Sequence, residues 1–134
     1  MIILSNSIAQ TLAVGQSLVL DKKILHTGCR AECHRDSSPV VNLTRQGIYE
    51  VAVKLNVTTD TAAGVIQMAV VADGGTLPET IMTSTPAAAG DVNNVFCETA
   101  FKTCGCNDAI VVQNVGTVPV TVSPDASVFI KRIA

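Results

Sequence analysis

After the Gln46–Gly47 turn, apolar residues recur at every second position. Tyr49, Val51, Val53, Leu55 and Val57 alternate with Ile48, Glu50, Ala52, Lys54 and Asn56. A strand sends successive side chains to opposite faces, whereas a helix would scatter these residues around its surface. The segment is therefore predicted to be a long strand with one buried face.

The rest of the chain repeats that theme in shorter pieces. Strand-like runs are read at Ser17–Leu25, Val40–Thr44, Gly64–Ala72, Thr80–Ser84, Asp91–Lys102, Ala109–Val115, Val118–Val122 and Ser127–Ile133, separated by turn residues such as Asp73-Gly74-Gly75 and the Pro86–Gly90 loop. Asp73-Gly74-Gly75 is a hairpin signal in which both glycines tolerate positive φ. About ten short strands at this spacing, without an amphipathic helix, predict an all-β protein, a jelly-roll β-sandwich. At 134 residues the chain fits one such domain. The division expected is an N-terminal arm or edge strand over residues 1–13 and a jelly-roll domain over 14–134.

Composition says what surrounds that sandwich. Hydrophobic residues make up 48% of the chain and charged residues 15%, against about 25% charged in a typical soluble protein. Part of the outer surface must be apolar, and apolar patches of any size are normally covered by another molecule. With three Phe, one Tyr and no Trp, the core is aliphatic.

Other classes of partner are disfavoured. The net charge of −2 and scattered Lys and Arg leave no basic footprint for nucleic acid. The apolar run near Ala109–Val112 falls far short of the roughly 20 residues that span a membrane. Met1–Asn6 has no basic n-region or long apolar stretch, so no secretory signal pattern is present. Synthesis in a reducing host cytoplasm is expected, and an odd count of five cysteines leaves at least one unpaired within a monomer.

Gly47-Ile48-Tyr49-Glu50-Val51 resembles the glycine-x-tyrosine start of a core strand in the C1q and tumour-necrosis-factor-like jelly rolls. The resemblance is closer to the C1q-like proteins of Firmicute genomes and their phages, through Gly28-Cys29 and His34-Arg35 before that strand. It continues through Val71–Pro78, Thr85–Ala88 and Ser127–Arg132, and covers residues 10 to 134. It implies a homotrimer that binds partners and does not catalyse. The few aromatics and missing collagenous stem separate it from the complement proteins.

Several clusters carry possible chemistry. His26-x-x-Cys29-x-x-x-Cys33-His34 stands opposite Cys104-Gly105-Cys106 in the sequence. In a jelly-roll register these two segments fall on loops at the same end. Cys29, Cys33, Cys104 and Cys106 would there form a structural zinc site, or disulfides, or remain thiols, and spacing alone does not choose. Cys97 lies in a strand and reads as a buried thiol. Cys33 beside His34 is poorly placed as a nucleophile–base pair, because strand neighbours point apart. Glu32, Asp36, Asp73 and Glu79 lack the spacing of a calcium loop, and the sequons at Asn42 and Asn56 fall in strands.

The functional expectation is a structural binding module, a trimeric phage head decoration protein seated on the major capsid protein at the virion surface. Tyr49, Val51, Phe101, Val112 and Phe129 are the candidates for the threefold interface, with the protomer core as their other destination. The alternatives are a tail or baseplate tip that recognises the host surface, and a spore or cell-surface coat protein; a hydrolase is the least supported.

Overall fold

In chain order the strands are β1 (Ile2–Ser5), β2 (Gln10–Leu12), β3 (Lys22–His26), β4 (Glu32–His34), β5 (Val41–Leu43), β6 (Gly47–Thr58), β7 (Ile66–Ala72), β8 (Gly75–Thr76), β9 (Met82–Ser84), β10 (Asn93–Thr103), β11 (Asp108–Asn114), β12 (Val120–Val122) and β13 (Ser127–Arg132). The structure, a computed structural model, describes residues 1–28, 31–103 and 108–134. The alternating segment of the sequence is β6, the longest strand, and its partner β10 pairs with it from Asn93↔Val57 to Thr103↔Gly47.

All named pairings are antiparallel and form two sheets. The first runs β3–β1–β13–β6–β10, with β12 beside the far end of β6 and β2 beside β12. The second runs β4–β5–β11–β7, with β8 and β9 both on β7. The chain crosses repeatedly between the sheets: β3 lies in the first, β4 and β5 in the second, β6 in the first, β7 to β9 in the second, and β10, β11 and β12 alternate again. This alternation makes the sandwich a jelly roll, as the sequence predicts.

The core lies between the sheets. Tyr49, Val51, Val53, Leu55 and Val57 of β6 are fully buried, and they meet Val41, Leu43, Ile66, Met68, Ile110 and Val112 of the second sheet. Burying each such aliphatic side chain contributes about 1.5–3 kcal/mol before the entropy of ordering it is set against the gain.

Thirteen strands stand among the described residues where about ten were read, because residues 1–13 hold two strands, β1 and β2, and the short β4 and β8 were not read. β1 and β2 are separated at Asn6–Ala9, and β12 and β13 at Ser123–Ala126. Fully buried Asn6 fills both gaps: its Nδ2 donates to the carbonyls of Ile8 (2.9 Å) and Ser123 (3.1 Å), and its Oδ1 accepts from the Ala126 amide (3.0 Å). Asn114, also fully buried, does the same elsewhere, donating to the carbonyls of Leu12 (3.1 Å) and Val118 (2.9 Å) and accepting from the Gly116 amide (3.0 Å).

Two details differ from the sequence reading, and a third, at the N-terminal end, refines it. Ser17–Leu25 is not one strand: only Lys22–His26 pairs as β3, while Leu18 and Leu20 dip into the core and the segment is held by the Ser17↔Gln113 and Leu20↔Ser38 bridges. The hairpin between β7 and β8 has positive φ at Asp73 (49°) and Gly74 (80°), so the turn sits one residue earlier than read. Residues 1–13 supply β1, flanked by β13 and β3, and the edge strand β2 beside β12, with Ile2, Leu4 and Leu12 in the core.

Candidate interaction face

The same period two that buries one side of β6 exposes the other. Register places Leu25, Ile3, Phe129, Ala52 and Glu98 in a row across five strands of the first sheet, on the side away from the core. A second row runs Ser127, Lys54, Phe96, and a third Lys131, Glu50, Ala100. Ile3, Phe129 and Ala52 are half-buried, while Phe96 is 59% exposed and Leu25 and Ile48 are 39% exposed. The result is an apolar band flanked by isolated charges.

The long edges of that sheet carry no further strand among the described residues, although the start of β10 touches β9 where the Asn93 side chain donates to the Ser84 hydroxyl (2.9 Å). β10 pairs with β6 on one side and with no other strand among the described residues, although it is eleven residues long. Every residue of β3, at the other edge, is exposed. Long free edges and a face with exposed Phe are features that isolated proteins usually blunt or cover.

The structure sorts the interface candidates. Phe129 lies on the outer face. Tyr49, Val51 and Val112 are core residues at 0%, 0% and 2% exposure, so they have no surface left for a neighbour. Phe101 packs inward against the core beside Tyr49. The alternation marked two faces of each strand, and the more uniformly apolar one turned out to be the protomer core. The apolar outer-face residues that sequence reasoning did not name are Leu25, Ile3, Ala52 and Phe96. For Phe96 a signal existed, since it stands out of phase with Val95 and Cys97, the inward residues of its strand.

Two clefts open elsewhere. The larger, about 450 Å³, lies where Met1, Thr27, Glu32, Arg45, Arg132 and Ala134 converge. Glu32 is 1% exposed, and its carboxylate accepts from the Arg132 amide (3.0 Å) and the Met1 amino group (3.1 Å). It thus ties β4 of one sheet to β13 of the other. The smaller cleft, about 360 Å³, is lined by Cys33, His34, Arg35, Asn42 and Thr44.

Of the four candidate zinc ligands, Cys29, Cys104 and Cys106 lie outside the described residues. Cys33 is exposed on β4 opposite Asn42. No group of three or more His, Cys, Asp or Glu side chains suited to a metal occurs among the described residues. His34 places Nε2 2.9 Å from the Ser38 carbonyl and pairs across β5 with Val41, on the strand side opposite to Cys33. Cys97 is buried in the core, as its strand position implied, and that burial pushes its thiol above its usual range.

No protein-family model matches this chain, and no characterised protein matches it in sequence. Solved structures do match it in shape. Murine APRIL, crystallised at pH 8.0, superposes with a TM-score of 0.71 at 15% identity, covering 98% of this chain and 97% of that one. The Eiger TNF structure from S. frugiperda gives 0.69 at 10% identity, covering 99% and 91%. The globular domain of zebrafish complement 1qA protein gives 0.65 at 7% identity, covering 96% and 94%. Likeness over whole chains at such low identity is a likeness of fold. The chain is folded as a C1q/TNF-like jelly roll.

Proposed function

We propose that this chain is a non-catalytic structural binding module that assembles as a homotrimer through the outer face and free edges of its first sheet. The observation that carries this reading is the apolar row Leu25–Ile3–Phe129–Ala52 with exposed Phe96 beside it. An apolar surface of this kind costs free energy in water that a second and third copy would recover.

The assembly it belongs to, in this proposal, is a phage head, with the trimer seated on the major capsid protein at the virion surface after assembly in the host cytoplasm. The low charge content and the ordered resemblance to phage C1q-like chains support that placement. Electron microscopy of particles carrying a tagged copy tests it. Hundreds of copies spread over the head are expected; a few copies confined to the tail would favour a receptor-binding tip, and absence from the particle would overturn the placement.

A further inference from the structure

The larger cleft lies where Glu32 of β4, the approach to β6 and the end of β13 converge, and it gathers three cationic side chains, Arg45, Lys131 and Arg132, around about 450 Å³. Glu32 is the one acidic side chain among its described lining residues. That carboxylate is already engaged: it is 1% exposed, and its two oxygens accept from the Arg132 amide and the Met1 amino group. Three cations against one carboxylate leave a surplus of two positive charges. The Met1 amino group and the Ala134 carboxylate also line the cleft and offset each other.

Nothing in the protomer answers that surplus. Among the described residues the ion pairs are Met1–Glu32 and Lys22–Asp125, so none of the three cations is ion-paired. Lys131 stands opposite Glu50 in register without forming such a pair. The cations are nevertheless positioned. The Arg132 guanidinium donates through Nε (3.3 Å) and Nη2 (2.9 Å) to the Gln46 carbonyl, which pins its plane and leaves Nη1 unengaged among the described residues. The Arg45 carbonyl accepts from the Tyr49 hydroxyl (2.7 Å) and from Thr103 Oγ1 (3.4 Å), so that residue is tied at its backbone while its guanidinium stays available. The charges of Glu32, Arg132 and Arg45 all act on the Tyr49 phenol, which places them around one point beside the cleft. Buried Ala31 and exposed Ile133 add an apolar wall.

We propose that this cleft binds a phosphoryl group, either as free phosphate or on a small phosphate monoester. Guanidinium forks hold the oxygens of a tetrahedral oxyanion with charge-assisted hydrogen bonds, and a lysine adds a mobile point charge. A dianion matches the surplus of two, where a single carboxylate would leave half of it unanswered. The cleft volume falls in the range of small-molecule sites, and its mixed polar and apolar lining has room for a short body behind the phosphoryl group. The site lies within one protomer and does not depend on the self-association reading.

The chain has one tyrosine, Tyr49, and no tryptophan, so its intrinsic fluorescence reports beside this cleft and nowhere else. The test is a titration, followed by fluorescence and by calorimetry, with sodium phosphate, with n-butyl phosphate and with sodium chloride at matched ionic strength. The native chain is compared with Arg45→Gln, Lys131→Gln and, as a control outside the cleft, Lys54→Gln. Saturable binding of at least one of the two phosphates is expected, without a response to chloride. Its dissociation constant should rise about tenfold in Arg45→Gln and in Lys131→Gln, and stay unchanged in Lys54→Gln. Tighter binding of n-butyl phosphate assigns the site to monoesters, and tighter binding of inorganic phosphate assigns it to the free anion. No saturable signal in either readout at millimolar phosphate or n-butyl phosphate overturns the proposal. So does an equal response to chloride, or binding that both cleft variants retain at native strength.

Discussion

Tyr49 and Phe101 face each other across β6 and β10 with ring centroids 6.2 Å apart and planes inclined by 26°. The Tyr49 hydroxyl donates to the Arg45 carbonyl at 2.7 Å, so the ring anchors the loop that leads into β6. Burial, with the nearby Glu32 charge, holds that phenol above its usual range and keeps it a donor. Tyr49→Phe should cost about 1 kcal/mol, the net worth of one hydrogen bond. A double-mutant cycle with Phe101→Leu should return a coupling of about 0.5–1.5 kcal/mol, read from urea denaturation midpoints.

Gly47 starts the same strand at a point where a Cβ would collide with the Ala134 carbonyl and the Arg132 guanidinium. Ile48 exchanges backbone hydrogen bonds with residues 133 and 134 at that place, so the obstacle is partly backbone. Gly47→Ala should destabilise the fold by about 1–3 kcal/mol through displacement of the C-terminal residues. Thermal denaturation of the variant checks the size of the effect.

Much of the sandwich was legible because β6 and β10 carry a period-two pattern, which physics ties to one geometry. The shorter strands were less so. The break between β1 and β2 is held by the buried amide of Asn6, which bonds to Ser123 and Ala126 more than a hundred residues away, and no local pattern announces such a contact. The apolar outer face was only half legible. Phe129 was named from its strand, but choosing between the two faces of β6 requires knowing which one meets the second sheet, and that is a tertiary fact.

Ser7 donates its hydroxyl and its backbone amide to the Asp21 carboxylate, and these bonds hold Asp21 below the usual carboxylate value of 3.8. A depressed carboxyl stabilises the fold above its unfolded value, and that contribution is lost as pH falls through the folded value. Ser7→Ala should raise the Asp21 titration midpoint, seen directly by NMR, and start acid unfolding at a higher pH than in the native chain.

Cys97 is 7% exposed, and its raised thiol range leaves little thiolate at neutral pH. In the folded protein it should resist alkylation by iodoacetamide and become reactive only on denaturation. Peptide mapping of labelled sites with and without urea checks this; rapid labelling of native Cys97 would mean that the β6–β10 side of the core opens readily.

The mass of the native protein in dilute solution, by light scattering coupled to gel filtration, tests the central claim most directly. An apolar outer face on the first sheet predicts a particle of three times the 13.9 kDa chain mass, reduced toward one chain by Phe96→Asp. A native chain that remains a stable 13.9 kDa monomer across concentrations would contradict it.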